Sequence, residues 1–339
     1  MRRTLRLCAS LVISSFLAGC GGAPGAPVEI VVPSGATLTQ VADTLLSRGV
    51  IGAKLPFVLF ARMRGDDHNI RSGRYLLPTN SSWRGALDPL TRGSVVTVPM
   101  TIPEGFTLRQ MVERIGEVTA RGQEEVSDML AAPDLDQRFG VPGPGLEGYL
   151  FPDTYRFARG VPVQEVLAAM TYRYRSVWTP ERRARLDSLG MTEREVVTLA
   201  SIVQAEARKV EEMPKIASVY HNRLKQGWLL QADPTVLFAL GGPRARLLYA
   251  AIDSVQDNPY NTYTQKGLPP GPIGAPGEAA LVATLFPAEE RFMYFVATPD
   301  GAHVFTRTLA EHNLAKAAAR RAWDELGARQ AKAADREGR

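Results

Sequence analysis

Cysteine is nearly absent from this chain, two residues in 339, and both fall in the first twenty positions, Cys8 and Cys20. With Cys8 in a removable leader, one thiol remains, which excludes an intramolecular disulfide and a thiolate metal site. Histidine is scarce as well: His68, His221, His303 and His312 show no metal-ligand spacing. No Ser/His/Asp arrangement and no phosphate-cradling glycine loop accompanies them, so neither metal nor cofactor is expected. Charge of one sign is also lacking. Three of the formal +5 come from Arg2, Arg3 and Arg6, and the +2 left beyond them does not call for nucleic acid. The apolar run at residues 7–19 is thirteen residues long, short of the ~20 that cross a bilayer as a helix.

A basic start followed by a short apolar run has the form of a secretory signal, here residues 1–19. It ends in "LAGC", which looks like a bacterial lipobox in which Cys20 would become the thioether carrying a diacylglycerol. A short uncleaved anchor helix with an incidental cysteine is the alternative. "GGAPGAP" then supplies a flexible linker over 20–27. The expectation is an exported protein held to a membrane at its N-terminus, with the cytoplasmic membrane expected ahead of the outer one and the body in the periplasm.

A repeat follows. "VPSGATLTQVADTL" (32–45) and "IPEGFTLRQMVERI" (102–115) share the pattern apolar-Pro-x-Gly-x-Thr-Leu-x-Gln, and each follows a strand-like run. In each, Pro and Gly make a turn and Thr37 or Thr107 is placed to cap a helix. Strand, turn and Thr-capped helix resemble the start of a LysM module, a small fold that binds the N-acetylglucosamine-containing glycan of cell walls. A small α/β module with a purely structural role has the same signature. We therefore expect an α+β chain: a LysM-like module over 28–98, a mixed α/β catalytic domain over 99–325, and a frayed tail over 326–339. Helix signals dominate the second part: Thr179 and Pro180 open one helix that stops at Gly190. Thr192 with Glu195 makes a capping box for the next.

That next helix, "MTEREVVTLASIVQAEARKV" (191–210), carries the chemistry. On a helical wheel Val196, Leu199, Ala200, Ile202, Val203, Ala207 and Val210 make one apolar face, and Glu206 falls among them. A desolvated carboxyl has a raised pKa, the condition for a general acid near neutral pH. An ion pair of Glu206 with Lys209 or an arginine elsewhere fits the same position. Two loops widen the picture. "DNPYNTYTQKGLPPGPIGAPG" (257–277) is too polar and too interrupted for a core element. It presents Tyr260, Asn261, Thr262 and Tyr263, groups suited to stacking on and hydrogen-bonding sugars. "PGPGLEGYLFPDTYRF" (142–157) holds Glu147 and several aromatics, either as a second such loop or as an apolar β-turn-β packed in the core.

"LASIVQAEA", "ASVYHNRLKQGWLLQADPTVLFALG", "PYNTYTQKGLPPGPIGAPG" and "LEGYLFPDTY" together resemble the endolytic murein transglycosylase family, the YceG-like proteins. The resemblance covers nearly all the chain after the leader. It implies lytic cleavage of the MurNAc–GlcNAc bond within peptidoglycan strands, leaving 1,6-anhydro-MurNAc ends, with peptidoglycan as substrate and glycan-polymerising penicillin-binding proteins as neighbours. The family's catalytic glutamate is the second acid of an "ASIVEKE"-type helix, which falls on Glu206, while Gln204 stands in place of the first. Gln231, Asp233, Tyr260, Asn261, Thr262 and Tyr263 match family positions around the cleft and are expected to bind or orient sugar, with Glu147 beside them. Two other readings are a non-catalytic wall-binding lipoprotein and a lysozyme-like hydrolase; a second carboxylate facing Glu206, such as Glu147 or Asp233, would favour the latter.

Overall fold

The computed structural model describes residues 25–93, 97–244 and 247–337. The signal peptide, Cys20 and most of the linker lie outside these residues. The protein is a mixed α+β chain of helices and two-stranded sheets, dividing into two compact units.

The first unit holds the described residues up to Met100 with two short returns, 118–120 and 155–162. Its order is β1 (Pro27–Val32), α1 (Leu38–Ser47), α2 (Lys54–Met63), β2 (Gly73–Pro78) and α3 (Trp83–Arg92). β1 and β2 pair antiparallel, with Ile30 opposite Tyr75 and Val28 opposite Leu77. Alternation puts Ile30, Val32, Tyr75 and Leu77 on one face. There they meet Leu38, Val41, Ala42 and Leu45 of α1 and Phe57 and Ala61 of α2 in one core. Thr37 and Gln40 form a reciprocal capping box at the start of α1. A cavity of about 640 Å³ opens between the Pro33–Thr37 turn and residues 67–72, lined by Thr39, Arg62, Asp67 and His68.

The repeat seen in the sequence is a structural one. β3 (Thr97–Thr101) leads into a second Pro-Gly turn and α4 (Leu108–Thr119). Thr107 N–H donates to Gln110 Oε1 at 2.9 Å and Gln110 N–H to Thr107 Oγ1 at 3.4 Å, the same device as at Thr37. α5 (Gln123–Leu130) and α6 (Leu135–Phe139) follow, and β4 (Thr154–Ala158) returns to pair with β3.

The elements from residue 163 on all belong to the second unit and are mainly helical: α7 (Val163–Ser176), α8 (Pro180–Leu189), α9 (Glu193–Glu206), α10 (Met213–Lys225), α11 (Asp233–Ala239), α12 (Tyr249–Asp253) and α13 (Glu278–Leu285). A hairpin of β5 (Tyr294–Ala297) and β6 (His303–Thr306) precedes α14 (Leu309–Glu337). α9 starts with the expected box, Thr192 N–H to Glu195 Oε2 at 2.8 Å and Glu195 N–H to Thr192 Oγ1 at 3.3 Å. Every residue from Val196 to Val203 is buried, including Thr198 and Ser201, so α9 is a central helix packed on several sides. Its neighbours are α10 and α13. α14 continues to Glu337 through the segment read as a tail, a stretch rich in the strong helix formers Ala, Arg and Lys.

Candidate active site

α9 ends at Glu206, four residues earlier than the wheel assumed. Ala207 is its C-cap in an extended conformation, and Val210, placed on the apolar face by the pattern, is 59% exposed. Glu206 therefore sits in the last turn of a helix, where the carbonyl end of the dipole disfavours negative charge. It is mostly enclosed and keeps some solvent exposure.

Its carboxylate accepts a hydrogen bond from the hydroxyl of Tyr220 on α10, 2.9 Å to Oε1. Tyr220 is 1% exposed, its ring edge-on to Phe295. Burial, with the nearby Asp233 carboxylate adding to it, pushes Glu206 up to about 7 against the Tyr220 bond and the Arg223 charge, which act the other way. Lys209 does not pair with Glu206; it reaches Asp300 at 3.5 Å. Arg223 is buried and donates to the carbonyls of Met293 (2.8 Å) and Leu230 (2.5 Å). It therefore acts on Glu206 through its field. The ion-pair reading of Glu206 has no bond behind it among the described residues.

Asp233, the first residue of α11, is exposed and accepts from the Tyr263 hydroxyl at 2.5 Å. Gln231 is exposed and held in the left-handed region at φ 49°, its N–H donating to the Thr262 carbonyl at 3.0 Å. Asp233 and Tyr263 thus stand within the field of the Glu206 carboxyl. Asn261 and Thr262 turn inward. Asn261 is fully buried and donates to the carbonyls of Ile252 and Val255, while its Oδ1 takes the N–H of Tyr263. Thr262 Oγ1 takes the N–H of Ala232 at 3.0 Å and lies 2.8 Å from Thr235 Oγ1. These two residues hold the loop and the Gln231 turn in shape. Tyr260 packs its ring on Phe238, 4.8 Å between centroids.

Glu147 is also not beside Glu206. Both its oxygens accept the N–H of Leu108 at 3.2 Å, capping α4, and burial pushes it up to about 7. The loop 257–277 is likewise more than a surface feature: residues 271–277 are buried, contrary to the expectation that so interrupted a segment must lie outside the core. Proline brings no N–H to satisfy and glycine little bulk, and the N–H groups of Ile273, Ala275 and Gly277 find partners. Gly105 N–H meets the Ala275 carbonyl, Ala275 N–H the Phe106 carbonyl, and Gly277 N–H reaches Gln204 Oε1 at 3.0 Å. Gln204, in the position of the missing first acid, is thus a tether for this loop. The second loop packs on the first. Gly148 has φ 81°, and a Cβ there would stand 2.4 Å from Pro272 Cβ, so no larger residue fits.

The family model described as the YceG-like family matches residues 30–318. The chain belongs to the YceG-like family. Among its relatives is a protein of Bacillus subtilis named endolytic murein transglycosylase, 32% identical over 306 residues, covering 85% of this chain and 84% of that one. A protein of the same name from Streptococcus pneumoniae is 29% identical over 326 residues, and the match spans 84% of this chain and 58% of that longer one. The crystal structure of a yceG-like protein from Listeria monocytogenes aligns with TM-score 0.59 at 28% identity, over 85% of this chain and 98% of the other. The YceG-like fold of this chain brings two further residues to the site that sequence reasoning passed over, Tyr220 and Arg223. Both lay in plain view. Ile216, Tyr220 and Arg223 recur at helical spacing on the buried face of α10, so Arg223 breaks an apolar phase just as Glu206 does on α9.

Proposed function

We propose that this protein is an endolytic murein transglycosylase, a lyase cutting the MurNAc–GlcNAc bond inside peptidoglycan strands with Glu206 as its acid and base. The observation that carries the assignment is the Glu206 carboxyl: mostly enclosed, pushed up to about 7, held by a tyrosine hydroxyl, and within the field of Asp233. Protonated Glu206 gives its proton to the glycosidic oxygen as the C1–O bond breaks. The resulting carboxylate takes the proton of the MurNAc C6 hydroxyl, whose oxygen bonds to C1 and closes the 1,6-anhydro ring. Glu206 ends protonated, ready for the next bond. Internal attack replaces water and gains the advantage of proximity. Asp233 adds to the burial that favours protonated Glu206 and offsets the positive charge that develops at C1.

Asp233 beside Glu206 also suits the lysozyme-like alternative, in which a second carboxylate serves water. Mass spectrometry of products from digested sacculi decides between them. Anhydro-ended fragments are the expected result; reducing ends heavier by one water would make the enzyme a muramidase.

The strand-helix-helix-strand order of the first unit and the cavity beside its Pro-Gly turn support a LysM-like role in gripping glycan. Arg62→Ala with His68→Ala should then weaken binding of the full chain to intact sacculi with the fold unchanged. Undiminished binding would leave the unit a structural role. The lipobox supports tethering through Cys20. Cys20→Ala is expected to accumulate a larger, unlipidated precursor, and maturation to the same size would argue for an ordinary anchor.

A further inference from the structure

The mechanism above makes no use of an enclosed glutamate–histidine pair that lies two ring contacts from Tyr220. Glu212 Oε2 accepts from His303 Nδ1 at 2.8 Å, and Glu212 Oε1 accepts the His303 backbone N–H at 3.0 Å. The His303 side chain is 4% exposed and that of Glu212 14%. Glu212 stands at the N-cap position of α10, yet its carboxylate caps no N–H of that helix and turns to β6 instead. A buried pair of this kind costs desolvation that apolar side chains would not, and what it adds is one fixed geometry. Here two atoms of one residue are held by two oxygens of another, so the position of the strand and the rotation of the ring are set together.

That geometry leads back to the active site. Phe295 is opposite Phe305 in the hairpin and Ala297 opposite His303, so Phe295, His303 and Phe305 share one face. The His303 ring meets Phe295 edge-on, 5.3 Å between centroids at 88°. Phe295 in turn meets Tyr220 edge-on, 5.8 Å at 86°, and Tyr220 gives its hydroxyl to Glu206. Lys215 of α10 stands over Phe305 on the same face. The hairpin and the chain leading into it are thus fastened along α10 at two ends. Glu212 holds one; Asn222 and Arg223 hold the other, through the carbonyls of Glu290, Phe292 and Met293. Tyr220 lies between the two, about 12 Å along the helix from Glu212.

We propose that Glu212 and His303 are positioning residues for the reaction: through Phe295 they hold the Tyr220 ring where its hydroxyl meets Glu206. The consequence for catalysis rests on the transglycosylase reading, whereas the positioning is read from the Glu206 carboxyl itself. Its carbon-13 shift is followed against pH in the full chain, with Glu206→Gln to assign the signal. Weakening the Tyr220 bond destabilises the carboxylate. Glu212→Gln and Phe295→Leu should therefore each raise the Glu206 pKa by about half a unit to one unit, part of the one to two units that a hydrogen bond to a charged group is worth. Combined with Tyr220→Phe, neither should add to the shift of that variant. The sign discriminates in Glu212→Gln. Removing a negative charge acts through its field to lower the pKa, so a rise reports the lost placement of Tyr220. On soluble strands kcat should fall about three- to tenfold with KM nearly unchanged, since an acid and not a sugar contact is disturbed. Val296→Ala loosens the opposite face of the hairpin and should leave the pKa in place. A pKa that falls or stays put in Glu212→Gln, shifts that add to that of Tyr220→Phe, or an equal rise in Val296→Ala would overturn the proposal. A non-additive rise with cleavage unimpaired would uphold the positioning and stand against Glu206 as the acid.

Discussion

Glu206→Gln is expected to end glycan cleavage, a loss of about a thousandfold or more for removing both general acid and general base, with the fold intact. The amide keeps the size of the side chain and can still accept from Tyr220. The stability of this variant carries a signature of its own. Folded Glu206 titrates at about 7 against an ordinary value of 4.5, so between those values the folded state holds a proton the unfolded state has released. Its contribution therefore favours folding below about 4.5, declines as pH rises to about 7, and is flat above. With allowance for residual exposure the decline is at most about 2–3 kcal/mol. Glutamine has no such decline. Relative to the parent, Glu206→Gln should gain stability from about pH 4 to about pH 8 by that amount. Glu147 titrates in the same sense but is common to both proteins and cancels. Urea melts at the two pH values, with product analysis on the same samples, check both halves. A variant that loses stability at high pH and still cleaves would return Glu206 to the role of a buried ion-pair partner.

Much of this site could be read from the chain, and the parts that could not have specific causes. The start of α9 was legible because Thr192 and Glu195 are a local device with a fixed spacing. Its end was not. No glycine or proline marks residues 207–209, and a wheel projects periodicity without saying where the helix stops. The neighbours Tyr260, Asn261, Thr262 and Tyr263 looked equivalent as a row of polar and aromatic groups. In the structure they divide, Asn261 and Thr262 turned inward and Tyr263 toward Asp233. Burial of the loop itself forces that division, since its enclosed carbonyls and amides need side-chain partners. Glu147 was expected beside the sugar-binding groups, but which backbone N–H it would meet depends on α4, thirty-nine residues away. Long-range partners of this kind leave no trace in local pattern. Arg223 did leave one, a cation in the buried phase of α10, and its meaning emerges only when set beside Glu206 on the facing helix.

The two groups that flank Glu206 should move its titration in opposite directions. Tyr220 donates to the carboxylate and so stabilises the charged form; Asp233 repels it and stabilises the neutral one. Tyr220→Phe removes the hydroxyl with little change in shape, so the pKa of Glu206 should rise above about 7, and the pH at which activity falls for want of the protonated acid should rise with it. Asp233→Asn should lower that pH. The rates need not follow the pKa. In Tyr220→Phe the carboxyl loses one orienting bond, and a loss of about tenfold is expected, in line with a single hydrogen bond to a charged group. In Asp233→Asn the field opposing the positive charge at C1 is gone although the amide oxygen can still accept from Tyr263, so a loss nearer a hundredfold is expected. A role confined to holding α10 or α11 in place would lower kcat without moving the pH profile. Profiles of kcat/KM on soluble strands are the measurement, because they report the free enzyme's acid. Shifts of opposite sign tie the reaction to the Glu206 proton, whereas limbs that stay together in all three proteins would mean that another group titrates there.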